Sequence, residues 1–304
     1  MEPDWEYVRT MNVVIMGVSI VVCAVVVILV STRSSAYARA DRFSQQIRLP
    51  YGSARTRESV VARVQSASRA SALAMLVGIL AAAWLLLTPL AATPAFPLYV
   101  IFPVLIATAI VSALASVRER LFHPAPNAPR VARARAVGVV DYLDPVRRML
   151  PWLLACAAGA SVVALGIALA RTPEGVNGVL ATAAFVFAAV AVATLVVVPP
   201  LERRVLAQAQ PATDTLELAW DDAFRSTTIG QLRLSMAFAA WGVIASSVGA
   251  IWIGADGAFS GLAWQLPTLG LIALQFVYPG TGRRLPAALY PDWLRRPATV
   301  GGTA

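Results

Sequence analysis

Seven stretches of about 20 residues lack Asp, Glu, Lys, Arg and His altogether, and they constrain everything else in the chain. They are Met11 to Val30, Ser71 to Leu90, Leu98 to Ser116, Leu150 to Ala170, Val179 to Val198, Ser235 to Gly254, and Phe259 to Tyr278. A helix of about 20 apolar residues covers a hydrocarbon core ~30 Å thick. Backbone polar groups in lipid must be satisfied within the segment, so each run is expected to be a helix. Only 13% of the residues are charged, against about 25% in soluble domains. One aqueous core cannot hide so much apolar surface. The expected fold class is therefore all-α: a polytopic integral membrane protein, one membrane domain over residues 1–304, built as a bundle of seven transmembrane helices.

Arginine sets the expected orientation. All 25 basic residues are arginine. Of these, 23 fall in the segments 31–70, 117–149, 199–234 and 279–304, and only Arg9 and Arg171 lie elsewhere. Cytoplasmic loops collect basic residues, so these four segments read as cytoplasmic, with the N-terminus outside and the C-terminus inside. Net charge divides accordingly: +12 inside and −3 outside, within a total of +9. A one-sided distribution of this kind orients a bundle and is no sign of nucleic-acid binding. Glu2, Asp4 and Glu6 precede the first run where a signal peptide would be basic, so that run reads as a retained helix. The outer connections, Ala91 to Pro97, Arg171 to Gly178 and Ala255 to Ala258, are tight turns. Trp5, Tyr7, Tyr99, Trp252 and Trp264 near the outside, with Trp152 and Tyr278 near the inside, have the placement of interfacial anchors.

Composition excludes several chemistries. Without lysine there is no Schiff base and no P-loop. His123 is the single histidine, which excludes HExxH zinc sites. Cys23 and Cys156 sit in apolar runs and read as small hydrophobes. No cofactor is implied.

After the first helix, a basic segment, a helix, a short turn and a returning helix recur three times, entering near Ser71, Leu150 and Ser235. Such repeats occur in transporters. Within the basic segments, Val60, Val61, Val64 and Ala67 share one face, with Arg57 and Arg63 off it. Asp214 to Gln231 reads as an amphipathic helix at the inner membrane surface. It is opened by a capping box of Asp214 and Glu217 and ended by Thr227, Thr228 and Gly230. Its Trp220 and Phe224, with Asp221, Asp222 and Arg225 facing elsewhere, form the candidate partner surface; its plainer role is an elbow seating the next crossing.

Two further candidates remain. Asp141 and Asp144, three apart, could share a helical face and grip a divalent cation beside Arg147 and Arg148. Pro145 ends a helix there, and the favoured reading is an interfacial turn whose acids pair with the abundant arginines. In the membrane interior, Gln265 and Gln275 flank Pro267 and Gly270 and could line a ligand path, or else bond neighbouring helices. The small-residue pairs Ala155/Gly159 and Gly242/Ser246 favour close packing.

The functional expectation is a non-enzymatic, multi-pass protein of a cell membrane, of bacterial inner or plasma membrane type. It would act through its basic cytoplasmic face on a protein partner or assembly, with anionic lipid headgroups held at that face. The alternatives are a permease subunit energised by a separate ATPase, and a metal-dependent lipid-processing enzyme using Asp141 and Asp144.

Overall fold

The computed structural model describes residues 5–93, 96–118, 137–208, 212–254 and 260–278. These are helices joined by short linkers, with no strand among the described residues. Helix α1 (Trp5–Ser31) leads into α2 (Arg33–Ile47) and α3 (Ala54–Ala82). Two 3-10 turns, Ala83–Leu87 and Pro89–Ala92, connect α3 to α4 (Phe96–Arg118). Then follow α5 (Val139–Tyr142), α6 (Pro145–Arg171), α7 (Gly178–Ala207), α8 (Thr215–Gly254) and α9 (Ser260–Val277). Helices α1, α3, α6, α7 and α8 are long and apolar enough to cross a membrane. Helices α4 and α9 hold shorter apolar stretches, Tyr99–Ala115 and Gln265–Val277.

Local chemistry explains the boundaries. Thr32, Ser53, Asp144 and Asn177 each stand at an N-cap and accept a hydrogen bond from the backbone N–H three residues on. Arg48 closes α2 in the left-handed region at φ 58°, a position glycine usually takes. Gly52, at φ 73°, lets the returning chain meet α8: a Cβ there would lie 2.4 Å from Leu216 Cδ2.

Helix α8 is the hub. It packs against α4, α6, α7 and α9, and it is the most buried of the five long helices. Its inner surface is made of Ala237, Ala239, Ala240, Gly242, Ser246, Ser247 and Ala250. Such small residues let helix backbones approach closely. Ser246 Oγ bonds back to Gly242 O at 2.7 Å. A Cβ on Gly242 would come 2.8 Å from the Phe187 ring of α7. The Ala155/Gly159 pair does not pack this way, since Gly159 is exposed with nothing within 4 Å of its Cβ position.

Three expectations need correction. Thr227, Thr228 and Gly230 do not interrupt a helix; α8 runs unbroken for 40 residues. Both threonine hydroxyls turn back onto the carbonyls of Ala223 and Phe224, four residues earlier, a bond that can bend a helix but here leaves its backbone ladder continuous. The run Ser71 to Leu90 is not one α-helix, because it tightens to 3-10 turns after Ala82. The three hairpins are also not equivalent: α3 packs closely on α4 and α9 on α8, whereas α6 and α7 scarcely touch and each packs on α8 instead.

Candidate functional site

The end of the bundle that carries the arginines is a packed layer. There α2, the first half of α3 and the first third of α8 share a small core of Ala36, Ala40, Val60, Val61, Ala219 and Ala223 around Trp220. Trp220 is fully buried. Its indole stacks on Tyr51 at 5.3 Å and 3°, and its Nε1 donates to Pro50 O at 3.0 Å. Phe43 of α2 packs at 5.0 Å from Phe224. The spacing of Val60, Val61 and Val64 places that face inward as expected. Arg63 differs: it is buried, and its Nη1 points to Ala115 O at 3.5 Å.

Most of the arginine geometry follows from one physical fact. The last four carbonyls of a helix have no partner inside it, and they carry the negative end of its dipole. Helices α1, α4, α7 and α9 all end at this layer, and each end meets an arginine from elsewhere. Arg39 Nη2 donates to Val30 O at 2.7 Å and Arg69 Nη2 to Ser31 O at 2.7 Å, at the end of α1. Arg63 reaches α4. Arg225 closes α7, with Nη1 on Leu206 O at 3.2 Å and Nη2 on Gln208 O at 2.6 Å. Arg147 Nε donates to Val277 O of α9 at 3.0 Å. In return, Tyr278 OH donates to Arg147 O at 2.5 Å. That carbonyl would otherwise lack a donor, because Pro151, four residues on, has no N–H.

Two buried polar links lock the layer. Arg233 holds Glu202 with two bonds, Nε to Oε1 at 2.5 Å and Nη2 to Oε2 at 2.7 Å. Its guanidinium also lies 5.5 Å over the Trp152 ring, so one side chain joins α6, α7 and α8. Asp222, fully buried in α8 and well ahead of that helix's ion-free stretch, accepts from Tyr142 OH at 2.8 Å. Ser226 Oγ reaches Tyr142 O at 3.3 Å. Burial pushes the Asp222 carboxyl up to about 7, against the opposing pull of Arg225.

Beside the layer lies a groove of about 490 Å³. Its walls come from the end of α1, from α2, α3 and α8, and from Ser112 of α4. Arg39 and Arg42 line it, and no carboxylate does. Arg39 Nε is shielded from solvent and has no hydrogen-bond partner among the described residues. Desolvation pulls the Arg39 guanidinium below the ordinary arginine value, although arginine keeps its proton at any physiological pH.

The other candidates stand as follows. Asp141 and Asp144 do not share a helical face. Asp141 lies in the four-residue α5 and accepts from Gly138 N at 2.8 Å, whereas Asp144 is the N-cap of α6 and pairs with Arg147 at 3.2 Å. Pro145 begins a helix here instead of ending one, because the first helical position needs no N–H. Among the described residues no three His, Cys, Asp or Glu side chains gather as a metal-holding group. Within the candidate partner surface, Trp220, Asp222 and Arg225 are buried and Asp221 pairs with Arg225 at 2.8 Å; Phe224 is half-buried and lines the groove. The stripe is covered by α2 and α3 of the same chain. Gln265 and Gln275 are both exposed on α9. The inward side of that helix carries Pro267, Gly270 and Leu274, and Trp241 Nε1 donates to Leu266 O at 3.0 Å.

Sequence reasoning missed Arg39, Glu202 and Arg233. Glu202 was detectable as a lone acid four residues past an ion-free run. The helix end that Arg39 serves belongs to another element, so no local spacing reveals it. No protein-family model matches this chain, and no curated protein or solved structure matches it.

Proposed function

We propose that this is a multi-pass protein of a cell membrane with seven crossings, its N-terminus outside and its arginine-rich layer in the cytoplasm. It works without catalysis, passing the state of a cytoplasmic partner or assembly to the membrane bundle. The observation that carries this reading is the continuity of α8. Its 40 residues extend about 60 Å at 1.5 Å per residue, twice the ~30 Å a crossing needs. One rigid rod therefore bears both the layer's aromatic core and the bundle's small-residue core. A push on the layer has no hinge in which to dissipate. The paired Asp141 and Asp144 caps and the covered Trp220 leave the exposed rim, including Arg203 and Arg204, as the surface offered to a partner.

Cysteine labelling tests the orientation. With Cys156 removed, Glu174→Cys is expected to react with an impermeant maleimide in intact cells, and Arg203→Cys only after permeabilisation. The reverse pattern would overturn the topology. Purification in mild detergent tests the partner. A stoichiometric companion lost in Arg203→Glu, Arg204→Glu supports the reading, and a chain purified alone from both backgrounds dismisses it.

A further inference from the structure

The groove beside α2 combines features that a structural crevice does not need. Its lining has two guanidiniums and no compensating acid. One N–H of Arg39 is withdrawn from water without a partner among the described residues, a cost that stands unless something supplies an acceptor. Along α3 its lining runs from Val64 to Met75, eleven residues or about 16 Å of helix. It therefore begins among the polar groups of the layer and ends inside the ion-free run that starts at Ser71. Val26 and Val30 form the matching wall on α1. Arg39 is fixed to Val30 O, at the level where the first ion-free run stops, and that is the depth of a lipid phosphate. Ser68, Ser71 and Thr227 also line the groove.

We propose that this groove binds one anionic glycerophospholipid of the adjoining leaflet. Arg39 and Arg42 hold its phosphate, and its glycerol and upper acyl carbons lie against Val26, Val30, Ala72 and Met75. The volume lies within the ~300–1,000 Å³ of small-molecule sites and suits a headgroup and glycerol, with the acyl chains continuing into the bilayer. A free phosphate would leave the apolar wall bare, so the lipid is the occupant that satisfies both halves. Basic pockets between membrane helices are recognised lipid sites in general. The proposal rests on α1 and α3 crossing the membrane, and it is independent of the partner reading.

The test uses the full-length protein in phosphatidylcholine nanodiscs containing a minor share of phosphatidylglycerol with a photoreactive acyl chain. Irradiation and peptide mapping of the wild-type protein are expected to place adducts on residues 26–30 and 68–75. Arg39→Gln, Arg42→Gln should lower their yield about tenfold or more, equivalent to ~1.4 kcal/mol. Arg203→Gln, Arg204→Gln, on the same basic face, should leave it unchanged, and raised salt during irradiation should lower the yield of diffuse adducts first. Equal losses in both variants, or wild-type adducts spread over all lipid-facing helices, would reduce the binding to general charge attraction and overturn the site. Displacement by inorganic phosphate alone would make it a free-anion site and also overturn the lipid assignment. Should the double arginine variant fail to fold, the wild-type adduct map still decides. Cysteine labelling reports separately on topology, so a failure there is distinguishable from a failure of the site.

Discussion

Replacing Arg233 by methionine strands Glu202, and the consequence can be worked from the geometry. Glu202 and Arg233 are both buried and make two short charge-assisted bonds. Breaking a buried pair from one side costs about 3–5 kcal/mol, because the remaining charge is left in a poor solvent. A stranded carboxyl has an escape: it can take up a proton. From an ordinary glutamate value of about 4.3, neutralisation at pH 7 costs about 3–4 kcal/mol, since each pH unit is worth about 1.36 kcal/mol. The same step costs only about 1 kcal/mol at pH 5. In the variant, then, the folded-state affinity of Glu202 for a proton is raised. Stability is retained at low pH and lost as pH rises, by up to about 1.4 kcal/mol per unit between pH 5 and 8. Loss of the Trp152 contact adds a pH-independent ~0.5–2 kcal/mol.

The companion variant Glu202→Leu behaves differently. Arg233 cannot shed its proton, so its loss should be flat with pH. The double variant Arg233→Met, Glu202→Leu should recover most of the stability, because a packed apolar pair often replaces a buried ion pair at little cost. The assay is unfolding in mixed micelles, followed by tryptophan fluorescence at pH 5, 6, 7 and 8. Each variant is compared with wild type at the same pH, so that the titration of Asp222 cancels. A loss for Arg233→Met that is equal at pH 5 and pH 8, or a double variant that loses the sum of the two singles, would refute the reasoning.

Three other perturbations have defined outcomes. The folded-state value of Asp222 is raised to about 7, so the stability it contributes is fully present below the unfolded carboxyl value and lost as pH climbs through 7; Asp222→Asn should flatten the wild-type pH profile and exceed wild type in stability at pH 8 in the same unfolding assay. Asn12, 3% exposed, donates to Ala91 O at 2.8 Å and Thr93 O at 2.9 Å; Asn12→Leu should cost about 1–3 kcal/mol for two stranded carbonyls and speed proteolysis at the 83–93 turns. A Cβ on Gly270 would sit 1.7 Å from Trp241 Nε1; Gly270→Ala should force the indole off Leu266 O and shift the tryptophan emission, and an unchanged spectrum would show that α9 packs elsewhere.

Much of the fold was legible because lipid makes a blunt demand. Long ion-free runs must be helices, and α1, α3, α6, α7 and α8 follow from that alone. One cap was legible too: Asp214, read with Glu217 as a capping pair, accepts from Glu217 N at 2.7 Å, because a cap acts on backbone three residues away. Less local features were not. The amphipathic stripe of Trp220 and Phe224 reads equally as a partner surface or as an internal seam, because a helical face does not say what covers it. Here α2 and α3 cover it, through contacts about 170 residues apart such as Trp220 to Pro50. Asp141 and Asp144 look like a metal pair on a helical wheel, but a wheel assumes a helix that the chain breaks at Leu143.

By itself the sequence determined the all-helical class of fold, the number of ion-free runs and how the arginines distribute among the segments between them. These depend on composition per segment, which tertiary contacts cannot alter. Only the tertiary structure decided which helix is central. The most apolar of the long helices, α1, is among the least buried, and the least apolar, α8, is the most buried. Lipid is as apolar as leucine, so hydrophobicity cannot sort inside from outside in a bilayer; small residues and close contact do. The arginines divide in the same way. Their clustering between the ion-free runs is written in the chain, but their work on the ends of α1, α4, α7 and α9 exists only once separate helices meet.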